Sequence, residues 1–153
     1  MNKKTLLNTC LATLLSLTSL SAMAEIITSD AYVRAVPAGF ENTAVFVKIT
    51  NRNNGDVYLT KAASSIAVNV ELHNHVNNDG AMMMRPVEQI KIGGTQTVEL
   101  APGGYHIMLI DLKRDLEVGE NIEVDLSFSD GTKVELEAPV KKVIDGLHSH
   151  HHH

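Results

Sequence analysis

The sequence predicts an all-β protein, an antiparallel β-sandwich, on three observations. Six stretches rich in β-branched residues alternate apolar and polar side chains, turn signals separate them, and no stretch holds an i, i+3, i+4, i+7 apolar pattern long enough for a helix. The predicted strands are 42–50 (NTAVFVKIT), 66–76 (IAVNVELHNHV), 95–100 (TQTVEL), 104–112 (GYHIMLIDL), 120–128 (ENIEVDLSF) and 132–140 (TKVELEAPV). Between them lie Asn53-Asn54-Gly55-Asp56, Asn77-Asn78-Asp79-Gly80, Gly93-Gly94, Pro102-Gly103-Gly104 and Asp130-Gly131. Asp-Gly suits a tight hairpin because both residues tolerate positive φ. Short strands at this spacing argue for a sandwich. No internal repeat or interdomain linker interrupts the pattern, so residues 25–146 read as one domain.

The two ends read differently. Lys3 and Lys4, the apolar run from Leu6 to Leu20 and the small-x-small sequence Ala22-Met23-Ala24 match a cleaved signal peptide over residues 1–24, with Glu25 as the first mature residue. The run is too short to span a membrane comfortably. Cys10, the only cysteine, lies before most of that run rather than at its end, so the sequence predicts an exported, periplasmic protein without a lipid anchor. Cleavage also removes every thiol, leaving a domain of about 129 residues that depends on its core rather than on disulfides. Taking Lys3 and Lys4 from the 13 basic residues leaves 11 against 18 acidic ones, a net charge of −7, which does not favour nucleic acid or anionic lipid. Residues 147–153 form a His-rich tail holding His148 and His150 to His153. It reads either as a purification tag or as a native extension; the absence of a Leu-Glu scar and of a six-His run favours the latter.

Two residue types are distributed unevenly. Outside the tail, the mature chain has three histidines (His73, His75, His106) and four methionines (Met82, Met83, Met84, Met108), all in three short segments. Side chains two apart on a strand share a face. His73 with His75, Met82 with Met84, and His106 with Met108 are such pairs, while Val68, Val70 and Leu72 are expected to face the core. A Met run alone reads as packing, and a lone His pair as polar surface. Three pairs together, with none elsewhere in the domain, point to a soft metal. Thioether sulfur suits Cu(I) better than harder divalent ions, whereas zinc would ask for thiolate, more imidazole or carboxylate. Blue-copper and c-type haem sites need cysteines that the mature chain lacks.

On these residues the chain resembles the periplasmic copper chaperone family PCu(A)C, whose signature is His or Met, ten residues, Met, twenty-one residues, His-x-Met. His73 is followed by ten residues and Met84, then by twenty-one residues and His106-Ile107-Met108. The flanks Glu71-Leu72-His73, Met84-Arg85-Pro86-Val87, Pro102-Gly103-Gly104-Tyr105-His106 and Ala31-Tyr32-Val33-Arg34 agree as well, so the resemblance runs from about residue 26 to about 143. It implies a cupredoxin-like Greek-key β-sandwich holding one Cu(I) between His73, Met84, His106 and Met108. It also implies delivery by ligand exchange toward the copper centre of cytochrome c oxidase, with an oxidase subunit or a Sco-like thiol protein as acceptor. His75 and Met82 are auxiliary candidates, and Met83 reads as packing. Two other readings stand beside this one: a copper storage or resistance protein using the same ligands, and a structural or adhesive sandwich without a metal. An enzyme is not expected. The chain has no Gly-x-Ser-x-Gly, phosphate loop or His-Glu-x-x-His motif, and Glu135 and Glu137 alternate with apolar residues as a solvated strand face would.

Overall fold

The structure is a computed structural model and describes residues 25–143; the expected signal peptide with Cys10 and the His-rich tail lie outside the described residues. Ten strands follow one another: β1 (Ile26–Arg34), β2 (Thr43–Asn51), β3 (Val57–Ala63), β4 (Ala67–Asn78), β5 (Ala81–Pro86), β6 (Ile90–Ile92), β7 (Thr97–Leu100), β8 (His106–Leu112), β9 (Asn121–Phe128) and β10 (Lys133–Lys141). All six predicted strands are present, as β2, β4, β7, β8, β9 and β10. The other four escaped the alternation rule for identifiable reasons. β1 changes register between Ser29 and Tyr32, where Asp30 takes a left-handed conformation (φ 54°). β5 is exposed along its whole length, so no buried face imposes a period on it. β6 has only three residues, and β3 shifts register between Leu59 and Lys61.

The hydrogen-bonded path runs β5-β4-β8-β2-β1-β10-β9-β3-β6, and β7 also pairs with β2. Every pairing is antiparallel except β1 with β10, which run parallel through Val33↔Val140 and Arg34↔Lys141. Apolar side chains from both halves of this path form one core. It includes Val45, Val47, Ile49, Leu72, Ile107 and Leu109 from one half, and Leu59, Ile90, Ile92, Val124, Leu126 and Leu136 from the other. Val68 does not join it, being 63% exposed. In the β4–β8 register its partner position is Asp111, which is left-handed (φ 56°) and breaks the alternation, so the neighbouring pair Ala67↔Leu112 packs on the core instead.

One edge of β2 is shared. Thr43 to Val45 pair with β8, and Val47 to Thr50 pair with β7. The chain between β7 and β8 must therefore turn outward and return, and the Pro102-Gly103-Gly104 turn does this with Gly103 at φ 86°. His106 consequently enters β8 beside Phe46.

Candidate functional site

Register brings the three His/Met segments onto one face. The β4–β5 hairpin turns through Asp79 (φ 52°) and Gly80 (φ 88°), both left-handed as a type I′ turn requires, and the Asn77 side chain accepts the Gly80 amide at 2.8 Å. A two-residue loop fixes everything that follows: Asn77 pairs with Met82, His75 with Met84, and His73 with Pro86. On its other side β4 pairs with β8, setting His73 opposite His106 and Glu71 opposite Met108. Directly paired residues share a face. His73, His75, Met82, Met84, His106 and Met108 therefore all lie on the side away from the Leu72–Ile107 core pair. Met83 pairs with Val76 on the opposite face.

His106 is the fixed point. It is 2% exposed, and its ring packs 6.3 Å from that of Phe46, which in turn lies 5.1 Å from Tyr32. Its Nδ1 lies 2.9 Å from the Gly104 carbonyl oxygen. A carbonyl can only accept, so Nδ1 carries the proton and Nε2 is left with a bare lone pair. That Nε2 lies 3.1 Å from the Met84 sulfur, itself a lone-pair donor. Two Lewis bases converge there without a hydrogen to share. Burial holds the His106 pKa below the ordinary histidine value, with repulsion from His75 and His73 adding to the effect and the Gly104 contact opposing it.

The other two imidazoles flank this point. The His73 ring lies 5.8 Å from His106 and the His75 ring 5.1 Å, centre to centre. Nε2 of His73 meets the Glu71 carboxylate at 2.8 Å, an arrangement that orients the ring and leaves Nδ1 as its lone-pair nitrogen. Among the described residues, only two buried side-chain nitrogens or oxygens have no hydrogen-bond partner: Nδ1 of His73 and Nδ1 of His75. A cavity of about 100 Å³ is lined by His75, Met84, His106 and Met108 together with Arg34, Ala44, Phe46, Pro102 and Gly103. Three of the four residues singled out by spacing, Met84, His106 and Met108, share this cavity; His73 reaches the cluster through its pairing with His106. His75, an auxiliary candidate on spacing, also lines this cavity. Its signal was present in the sequence, since a two-residue Asp79-Gly80 loop already sets His75 opposite Met84. Among the described residues, no group of three or more His, Cys, Asp or Glu side chains could hold a metal ion. The donor set is imidazole and thioether, and it fits a soft ion.

Comparison with known proteins agrees with the fold. Residues 26–140 match the family model described as "Putative lipoprotein LpqE-like". The protein described as "Putative lipoprotein Lxx21020" of Leifsonia xyli subsp. xyli (strain CTCB07) is 40% identical over 114 residues, covering 74% of this chain and 68% of that one. The solution structure of Cu(I)-DR1885 from Deinococcus radiodurans is similar with a TM-score of 0.62 at 32% identity, over 82% of this chain and 85% of the other. The copper-bound PCuAC domain from PmoF2 shares the fold with a TM-score of 0.66 at 22% identity, over 77% and 93%. The cupredoxin-like sandwich expected from the sequence is therefore the fold observed, and the chain belongs to the LpqE-like family, which is the PCu(A)C family.

Proposed function

We propose that this protein carries copper outside the cytoplasm, holding one Cu(I) between His73, Met84, His106 and Met108 and passing it on by ligand exchange. The family is one of metal carriers rather than enzymes, and its solved members include copper-bound domains. The observation that carries the reading is the approach of the bare His106 Nε2 to the Met84 sulfur at 3.1 Å. Two soft or borderline donors aimed at each other gain nothing from contact alone and are brought into use by a shared soft cation. Met84 is 52% exposed on the edge strand β5, whereas His106 is buried. A ligand pair with one buried and one accessible member favours a donor over a storage site, because an acceptor's ligands can displace the exposed thioether first. Cysteine thiolates would then draw copper onward, since they are softer and charged. An acceptor among the Sco-like proteins or the copper-bearing subunit of cytochrome c oxidase fits that chemistry.

The test is metal binding and transfer. X-ray absorption on the Cu(I)-loaded protein is expected to give mixed nitrogen and sulfur scattering, with Zn(II) bound poorly; a nitrogen-and-oxygen spectrum would overturn the site. Transfer to an apo acceptor, scored against a Sco-like protein, separates a carrier from a sink. The family description and the Leifsonia relative both carry the word lipoprotein. We propose cleavage after Ala24 and a soluble periplasmic product, which mass measurement of the exported protein checks: a lipid-modified Cys10 at the mature N-terminus would overturn it.

A further inference from the structure

We propose that Arg34 is a charge filter on the copper cavity, holding the site to monovalent Cu(I) by penalising a divalent ion twice as heavily. This rests on the copper reading above and adds to it a residue that selects the ion without binding it. The donors themselves set up the need. Imidazole accepts zinc and Cu(II) as readily as Cu(I), and thioethers and neutral imidazoles bring no charge of their own to the cavity. Among the described residues that line it, Arg34 is the one permanently charged side chain, and it carries the sign that repels metal.

The register shows why Arg34 stands there. β1 pairs with β2 through Tyr32↔Phe46 and Val33↔Val45, and Val33 and Val45 are both core residues. Arg34 therefore follows Tyr32 on the outer face, level with Ala44, which pairs in turn with Met108 on β8. Arg34, Ala44 and Met108 thus form one row across three strands, the first and last about 9–10 Å apart at the backbone. Ala44 between them contributes only a methyl group, and the cavity of about 100 Å³ opens against it. The Arg34 backbone is fixed, since its carbonyl accepts from Thr43 Oγ1 at 2.6 Å. Its charge is felt along this face: burial raises the Tyr32 pKa, and the guanidinium opposes that rise. Glu71 acts in the other direction from β4, but it is engaged by His73 at 2.8 Å and does not line the cavity. A guanidinium stays charged at every working pH. Coulomb energy scales with the ion's charge, whatever the distance and dielectric. The factor by which Arg34 weakens a divalent ion is therefore the square of its factor for a monovalent one. At about 8 Å and an effective dielectric of about 40, that is about fivefold for Cu(I) and about 25-fold for Zn(II) or Cu(II).

The experiment uses the full mature chain with His148 and His150 to His153 replaced by Asn, so that tail imidazoles do not capture the divalent probes. Arg34→Leu and Arg34→Gln remove the charge with different shapes, and Arg34→Lys keeps it. Affinities are measured by chelator competition for Cu(I) under reducing conditions, for Ag(I) as a soft ion of the same charge, and for Zn(II) and Cu(II). Both neutral variants should gain about fivefold for Cu(I) and Ag(I) and about 25-fold for the divalent ions, so that the preference for single charge falls about fivefold. Arg34→Lys should keep the parent's preference within about twofold. A neutral variant that folds and keeps the parent's preference would overturn the proposal. So would an Arg34→Lys variant that loses it as fully as Arg34→Leu, since shape rather than charge would then decide. Failure of the parent to bind Cu(I) or Ag(I) would instead sink the carrier reading, and Arg34 would still be judged by whether its neutral variants gain Zn(II) and Cu(II).

Discussion

Two buried polar clusters lie along β2, and they treat their polar atoms in opposite ways. At the end of the strand Asn51 is wholly buried, and every part of its amide is used: Nδ2 donates to the carbonyls of Gly55, Ile92 and Gly93, while Oδ1 accepts from the backbone and side chain of Asn53. Roughly 17 Å back along the strand, beside Phe46, the imidazoles of His73, His75 and His106 leave three nitrogens without a hydrogen-bond partner that carries or takes a proton. The first cluster ties β2 to the chain around β3 and β6. The second is held in place from behind, by Gly104 and Glu71, and left open in front. The difference separates polar groups whose hydrogen bonds hold the fold from polar groups that the fold leaves open.

The largest effect is expected where the bonds are complete. Asn51→Leu keeps similar volume but removes the amide shared by the Gly55 and Ile92 carbonyls and by Asn53, while the Gly93 carbonyl keeps the Gln96 amide. At the usual penalty for buried unsatisfied groups it should lose about 3 kcal/mol or more, on the order of 10 °C in midpoint. Cu(I) affinity of the folded fraction should not change. A loss below about 1 kcal/mol in chemical denaturation would mean that the Asn51 bonds are not what joins the two halves.

At the open cluster the signs reverse. Met84→Leu and Met108→Leu preserve size and apolarity, so stability should change by less than about 1.5 kcal/mol; Met84 has least to lose because half of it is exposed. Cu(I) affinity, measured by chelator competition, should fall by more than about 100-fold in each, beyond what orienting residues contribute. Variants that bind like wild type would make both methionines packing residues. One step back from the proposed copper site, Glu71→Ala removes the carboxylate that orients His73. About a tenfold loss of copper affinity is expected, with partial recovery in Glu71→Gln, whose oxygen can still accept from Nε2.

The same contrast explains what the sequence disclosed. Strands with one buried face, such as β9 with its strict exposed–buried alternation, are legible because water and core impose the period. β5 carries three exposed methionines in a row and no period, yet it supplies Met84. Its position came from elsewhere, from the Asp79-Gly80 turn that sets the hairpin register. Asp130-Gly131 looks the same on paper but folds differently: only Gly131 takes positive φ, and Asp130 caps the turn by accepting from the Thr132 amide. Left-handed Asp30 and Asp111 broke the alternation where nothing in their neighbours announced it, hiding β1 and turning Val68 outward. The His and Met spacing was readable because, between residues 25 and 143, these two residue types are confined to three short segments. What spacing does not contain is burial, and burial distinguishes His106 from its exposed partner Met84.

The smallest effect is that of acid on the metal-free protein, and it isolates His106. Burial lowers its pKa below about 6.5, the value an unfolded histidine keeps, because the imidazolium would lose its water. Between the two values the unfolded chain binds a proton that the folded chain declines. The contribution to stability is therefore whole above about pH 6.5 and is lost as pH falls through the folded value. Copper should follow the same sign. His106 stays neutral and able to donate to lower pH than a free imidazole would, and Met84 and Met108 never protonate, so acid should weaken Cu(I) binding gradually and incompletely. His106→Met should flatten the apo stability profile, measured by denaturation from pH 7.5 to 5, and replacing both His73 and His106 by Met should flatten the Cu(I) affinity profile, measured by competition over the same range. The asparagine corner supplies the control: an amide does not titrate, so Asn51→Leu should lower stability by the same amount at every pH. If wild type and His106→Met showed the same pH slope, the buried imidazole would be no more than a packed ring, and the contrast between the two ends of β2 would lose its chemical meaning.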